Sequence, residues 1–99
     1  MTTFIQIIDY HTDRGDEMEQ LLDEWRDSTE GRRRTASAIT TRDREDATHY
    51  IAIVEFPSYD EAMRNNDLPE TQRFAARMTE LCTEAPKFLN LDEIRRDKA

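Results

Sequence analysis

The chain is poor in the residues that mark several common classes of protein. It has one cysteine, Cys82, among 99 residues. A lone thiol closes no internal disulfide and supplies no cysteine-rich metal cage. It falls on an apolar helical stripe and reads as core packing. Two glycines and three prolines leave no linker, repeat or low-complexity segment. Basic residues are outnumbered, 14 Lys and Arg against 22 Asp and Glu, for a net charge of −8. Nucleic-acid binding rests on neutralising phosphates, so no nucleic-acid partner is expected. No apolar run approaches the length of a membrane span and no signal-like segment follows Met1, so the reading is no membrane and a cytoplasmic location.

What is present is patterned. Hydrophobic residues make up 36% of the chain, too many and too regular for a disordered tail. Residues 1–99 read as one domain. "TFIQIIDYH", 3–11, is β-branched and aromatic and ends in the polar turn "TDRGD", which predicts a strand. From Asp16 the period changes: Met18, Leu21, Leu22 and Trp25 fall on one stripe of an α-helix, with Asp16, Glu17 and Glu19 at its positive start and Gly31 as its stop. "TASAITTRD", 35–43, and the more apolar "HYIAIVEF", 49–56, predict two further strands joined as a hairpin. Pro57 ends the third strand. Ser58 is placed to cap a helix, with Glu61 three residues on. In "RNNDLPETQRF", 64–74, the asparagines compete with helix, Leu68 is pushed to extended geometry by the next residue, and Pro69 restarts a helix. Phe74, Met78, Leu81 and Cys82 form its stripe, Pro86 closes it, and "KFLNLDEI", 87–94, predicts the last strand before a charged tail.

The order β-α-β-β-α-β predicts an α+β, ferredoxin-like fold: a four-stranded antiparallel sheet, the first and third strands central, both helices on one face. The other face of such a sheet should alternate polar. It does not: Ile5 and Ile7 stand on one parity and Phe4, Ile8 and Tyr10 on the other, and the third strand repeats the pattern. Apolar faces on both sides of the central strands point to self-association. The expectation is a homodimer through the sheet face carrying Phe4, Ile8, Tyr50, Val54 and Phe56.

The opening strand "FIQIIDYH", the helix "RGDEMEQLLDEW" and the pair "HYIAIVEFPSYDEAM" and "LPETQRFAARM" resemble the dimeric α/β-barrel superfamily, in particular its antibiotic-biosynthesis-monooxygenase-like group and a small actinobacterial-type subgroup of it. The resemblance covers nearly the whole chain. It implies a dimeric α/β barrel and, among the family's activities, cofactor-independent oxygenation of aromatic polyketides or haem degradation. Many haem-degrading members carry an Asn on the first strand, a Trp ending the third and a His on the segment after it. Gln6 and Phe56 stand at the first two positions here, and 61–74 holds no His. Haem iron needs an axial ligand, commonly His, so no haem is expected.

Gln6, Tyr10, Tyr50, Phe56 and Asn66 are the candidate lining of a pocket for a small aromatic ligand, aromatic walls with a few polar anchors. The competing reading is that the aromatics fill a core and the asparagines stop a helix. Trp25 fits the core stripe. Pairing Ile7 with Ile51 would set Asp9 opposite His49, either a carboxylate orienting a base or a structural ion pair. His11 is placed in solvent near a turn. Two histidines among scattered acids show no metal-ligand spacing, so neither metal nor cofactor is expected. "GRRR", 31–34, reads as a solvated loop offsetting the acidic helix before it. Two functions fit these residues: a cofactor-independent monooxygenase-like enzyme acting on a small aromatic substrate, or a non-catalytic small-molecule-binding or accessory dimer.

Overall fold

A computed structural model describes residues 2–98. The elements are β1 (Phe4–His11), α1 (Gly15–Ser28), β2 (Ser37–Arg42), β3 (His49–Phe56), α2 (Tyr59–Asn66), α3 (Pro69–Leu81) and β4 (Lys87–Asp92). The strands form one antiparallel sheet in the order β2-β3-β1-β4, with β1 and β3 central. The expected ferredoxin-like α+β architecture is present, with its second helix divided in two. Gly31, at φ +80°, turns the chain after α1; a side chain is disfavoured in that region.

The register runs from Phe4 opposite Phe56 to His11 opposite His49. Side chains alternate across a strand, so Phe4, Gln6, Ile8 and Tyr10 share a face with Tyr50, Ala52, Val54 and Phe56. The helices cover that face. Tyr10 packs with Met18, Met78 and Leu81, flanked by Ile8, Leu21, Tyr50, Ala52, Phe74 and Cys82. Phe4 and Phe56 pack with Ala62, flanked by Val54 and Met63. The face expected to meet a second chain is therefore the inner one. Both parities of the central strands are apolar, so alternation could not choose between them. The aromatic residues went to the deeper layer between sheet and helices.

The open face carries Ile5, Ile7, Ile51 and Ile53. Ile39, Ile53, Ile7 and Leu89 stand opposite one another in a single row across all four strands. Ile39 and Leu89 are 55% and 54% exposed.

Buried polar groups tie the ends together. Thr12 is 1% exposed. Its hydroxyl donates to the Leu81 carbonyl at 2.7 Å and accepts from the Arg14 amide at 3.0 Å, which joins the end of β1 to the end of α3 and the start of α1. Ser58 caps α2 by accepting from the Glu61 amide at 3.2 Å. Leu68 is extended (φ −63°, ψ 129°) and Pro69 opens α3, as the steric conflict before proline requires. The two asparagines at the corner divide their roles. Asn65 is 4% exposed, and its Oδ1 accepts from the Arg34 amide at 3.2 Å. Asn66 is exposed.

The basic loop 31–34 is largely exposed, as expected, and its arginines also tie it to the helices. Arg32 pairs with Glu70 at 3.0 Å and Arg34 with Glu61 at 3.6 Å. The Arg33 guanidinium lies 5.8 Å over the Trp25 ring and donates to the Arg26 carbonyl.

Asn65→Ala strands the Arg34 amide and should lower unfolding stability by about 1–2 kcal/mol. Asn66→Ala should stay within about 0.5 kcal/mol of wild type. Urea unfolding of both variants checks the pair.

Candidate functional site

The inner face of the sheet is where the candidate residues gather, and it carries four of the five. Tyr10 and Tyr50 are register partners on β1 and β3. Their rings stack at 5.4 Å between centroids, 9° from parallel. Gln6 lies on the same face, and its Nε2 donates to Asn90 Oδ1 of the edge strand at 3.2 Å. Phe56 shares that face but lies at its other end: it is 2% exposed and packs 6.1 Å from Phe4, consumed by the second core cluster. Asn66 is exposed to solvent and lies outside the group.

Gln6 stands between the two clusters. A polar side chain on a central strand interrupts the apolar packing at that point, and its amide is satisfied by reaching sideways to Asn90. The inner face continues past it onto β4, where Phe88 stands opposite Ile8 and is 51% exposed. Phe88 and Asn90 were not singled out from sequence. Their only signal is the pairing of β4 with β1, and a short strand of alternating residues does not disclose its register.

Tyr10 is buried, and that burial, more than the neighbouring Tyr50, Cys82 and Glu19, pushes its phenol up to about 12. Ionisation in a low-dielectric setting is costly. At neutral pH Tyr10 is therefore a hydrogen-bond donor and not a base. Burial raises the Cys82 thiol as well, which suits a packed rather than a reactive cysteine. Trp25 is also structural, its indole N–H donating to Thr71 Oγ1 at 3.0 Å and its ring 5.7 Å from Phe74.

Tyr50 reaches the surface. Two open depressions meet at its ring. One, of about 400 Å³, is lined by Asp13, Arg14, Gly15, Asp16, Glu17 and Tyr50. The other, of about 330 Å³, is lined by Gly15, Asp16, Glu19, Thr40, Thr41, Arg42 and Tyr50. Tyr50 thus joins the aromatic interior to a polar mouth. Gly15 makes this possible: a Cβ there would lie 2.6 Å from the Tyr50 hydroxyl and 3.6 Å from Cζ.

On the opposite, open face, His49 is paired as expected with Asp9, but diagonally. His11 is its register partner and Asp9 stands opposite Ile51. Nε2 of His49 lies 2.7 Å from Asp9 Oδ1, and Nδ1 lies 3.0 Å from Asp43 Oδ2. Asp43 first, and then Asp9, hold the imidazole above its ordinary pKa.

No protein-family profile matches this sequence, and no match is found among curated proteins. Solved structures do match in shape. SnoaB of Streptomyces nogalater, a cofactor-independent oxygenase whose structure is that of a point mutant, superimposes with a TM-score of 0.79 at 14% identity, over 96% of this chain and 95% of that one. Rv0793 of Mycobacterium tuberculosis gives 0.80 at 13% identity over 97% and 99%. A proposed antibiotic biosynthesis monooxygenase of Nitrosomonas europaea gives 0.79 at 7% identity over 93% and 90%. The chain has the fold of these proteins along nearly its whole length. At such identities the likeness concerns the backbone, and function rests on the residues at the site.

Gly15→Ala measures how tightly Tyr50 is held. Alanine normally stabilises a helix by about 0.5–1 kcal/mol over glycine, but here the added methyl meets a hydroxyl. The substitution should destabilise wild type by about 1–3 kcal/mol. In a Tyr50→Phe background, with the oxygen gone, it should be neutral or stabilising. A double-mutant cycle by denaturant unfolding gives the comparison.

Proposed function

We propose that this chain acts as a homodimer that takes up a small aromatic molecule on the inner face of its sheet and oxygenates it in the manner of a cofactor-independent monooxygenase, in a cytoplasmic setting. The observation that carries the reading is the stacked pair Tyr10 and Tyr50 on the same face as Gln6, aromatic surface with an amide and a protonated phenol as anchors. That is the composition of a pocket for a planar ligand with few hydrogen-bonding groups. Phe88 and Asn90 extend it to the edge strand. An electron-rich aromatic anion reacts with oxygen directly, so the protein's part is to orient the ring, exclude water and donate hydrogen bonds to the developing oxyanion. Tyr10, kept protonated by burial, is the group suited to that donation.

One observation favours a second reading, binding without turnover. The inner faces of β1 and β3 carry no ionisable group besides the two phenols, and Tyr10 is held as the neutral acid. A base for substrate deprotonation would have to come from the mouth, where Asp16 and Glu19 stand. A substrate arriving already ionised removes that requirement.

The two readings separate in a single assay. Phenolic and polycyclic quinol-type compounds are screened by thermal shift, and those that stabilise the protein are followed by oxygen uptake. The enzyme reading expects uptake that falls tenfold or more in Tyr50→Phe or Gln6→Leu. Stabilisation without uptake favours the binding module. No stabilisation by any compound removes both.

The dimer has its own basis in the apolar row Ile39, Ile53, Ile7 and Leu89 on the open face. A contiguous exposed patch of this kind marks an association surface, and a two-fold sheet-on-sheet contact covers it in both copies at once. Ile53→Asp should give a folded monomer by light scattering. Val54→Asp, one residue away but on the inner face, should cost several kcal/mol of folding stability, because an unpaired carboxylate would be buried there. A wild-type protein that is monomeric at micromolar concentration would exclude the dimer.

A further inference from the structure

At one end of the open face, away from Gln6 and Tyr10, the register sets His11 directly opposite His49. Their rings lie 4.4 Å apart and 6° from parallel. One donor atom each from Asp9, His11 and His49 lie within 4.8 Å of one another. The side chains of Asp9, His11 and His49 are 36%, 31% and 20% exposed, so an ion has access from solvent.

Each imidazole has a carboxylate beside its Nδ1. Nδ1 of His49 lies 3.0 Å from Asp43 Oδ2, and Nδ1 of His11 lies 3.0 Å from Glu84 Oε1. A carboxylate hydrogen-bonded to Nδ1, as Asp43 is to His49, leaves Nε2 as the nitrogen that can meet an ion. It also fixes the ring orientation and makes the free nitrogen more basic. Nε2 of His49 lies 2.7 Å from Asp9 Oδ1, and Nε2 of His11 lies 3.8 Å from Asp46 Oδ2.

The local charge is unbalanced. Asp9, Asp43, Asp46 and Glu84 meet no cation except the two imidazoles, and among the described residues no Lys or Arg comes within ion-pairing distance of them. Lys87 stands opposite Asp9 on β4 and makes no ion pair with it.

We propose that Asp9, His11 and His49 bind one first-row divalent transition-metal ion, with Asp43 and Glu84 as its outer hydrogen-bonding shell. Two imidazoles and a carboxylate are the donor set of zinc and its neighbours. Magnesium and calcium prefer oxygen donors alone. Three protein ligands leave a coordination position to water. Loading requires each ring to swing its Nε2 edge to about 2.1 Å from the ion, and it therefore breaks the parallel ring stack. The site shares neither residues nor sheet face with the proposed aromatic pocket and stands independently of it.

The test uses the purified full chain, stripped with chelator and dialysed. Co²⁺ is titrated with visible absorption as the readout, and Zn²⁺ binding is measured by calorimetry. The expected result is one ion per chain at micromolar affinity, with ligand-field bands that Zn²⁺ abolishes and with shifted His11 and His49 ring resonances. His11→Gln, His49→Gln and Asp9→Asn should each weaken binding about a hundredfold or more. Asp43→Asn and Glu84→Gln should weaken it about tenfold, the effect usual for an outer-shell partner. Far-UV circular dichroism checks that the variants fold, and the wild-type titration depends on none of them. Absence of one-to-one binding in wild type would overturn the proposal. So would affinity unchanged in the His11→Gln, His49→Gln double variant, or Mg²⁺ binding as tightly as Zn²⁺.

Discussion

The pairing of β1 with β3 governs the rest of the molecule. It sets Phe4 against Phe56 at one end and His11 against His49 at the other. Side chains alternate with a period of two, so a one-residue slip of either strand would send that strand's inner side chains to the open face. Tyr10 or Tyr50 would then lie against solvent, and the histidine of the same strand would be driven under the helices. The two ends of the ladder resist such a slip differently. Phe4 and Phe56 are anchored by Ala62 of α2. Tyr10 is anchored by Met18, Met78 and Leu81, and just beyond it Thr12 is locked to the carbonyl of Leu81.

With the register set, the sheet becomes a partition between two kinds of chemistry. Its inner side is aromatic and uncharged, so ionisation there is suppressed, as the raised Tyr10 phenol shows. Its outer side runs from an isoleucine-rich centre to an acidic end that holds both histidines of the chain. The helices contribute mainly to the first side. Their own attachments are polar: Asn65 holds the loop after α1 to the end of α2, and Arg32 and Arg34 reach Glu70 and Glu61. The break in "RNNDLPETQRF" belongs to this framework. Its buried asparagine serves the backbone of Arg34, while the exposed Asn66 stands apart from the packing.

The structures this fold matches include an oxygenase that works without a cofactor, yet the identities lie between 7% and 14% for those compared. A sheet of this kind is specified by which positions are apolar, and many sequences satisfy that requirement. The chemistry on its faces is a separate choice. Here the inner face keeps a polar Gln6 between two apolar clusters, its amide turned to Asn90 of the edge strand.

Element types and order were legible in the sequence because hydrophobic periodicity is local. A stripe such as Met18, Leu21, Leu22 and Trp25 needs only its own helix to be read, and the restart at Pro69 follows from steric conflict between adjacent residues. Four strands, their neighbours and the shared side for the helices came from connection lengths and handedness. The direction of the faces was not legible, because β1 and β3 are apolar on both parities and alternation then carries no sign. The register was displaced by two residues, because a run apolar at nearly every position gives no mark for aligning one strand on the other, and Asp9 reaches His49 across a diagonal instead of straight across. The grouping of Asp9, His11, Asp43, His49 and Glu84 has no counterpart in sequence spacing. Neither does the approach of Gly15 to Tyr50 or of Gln6 to Asn90. Local forces select a helix or a strand residue by residue, but which side chains meet across 40 or 80 positions is decided only when the whole sheet closes on its helices.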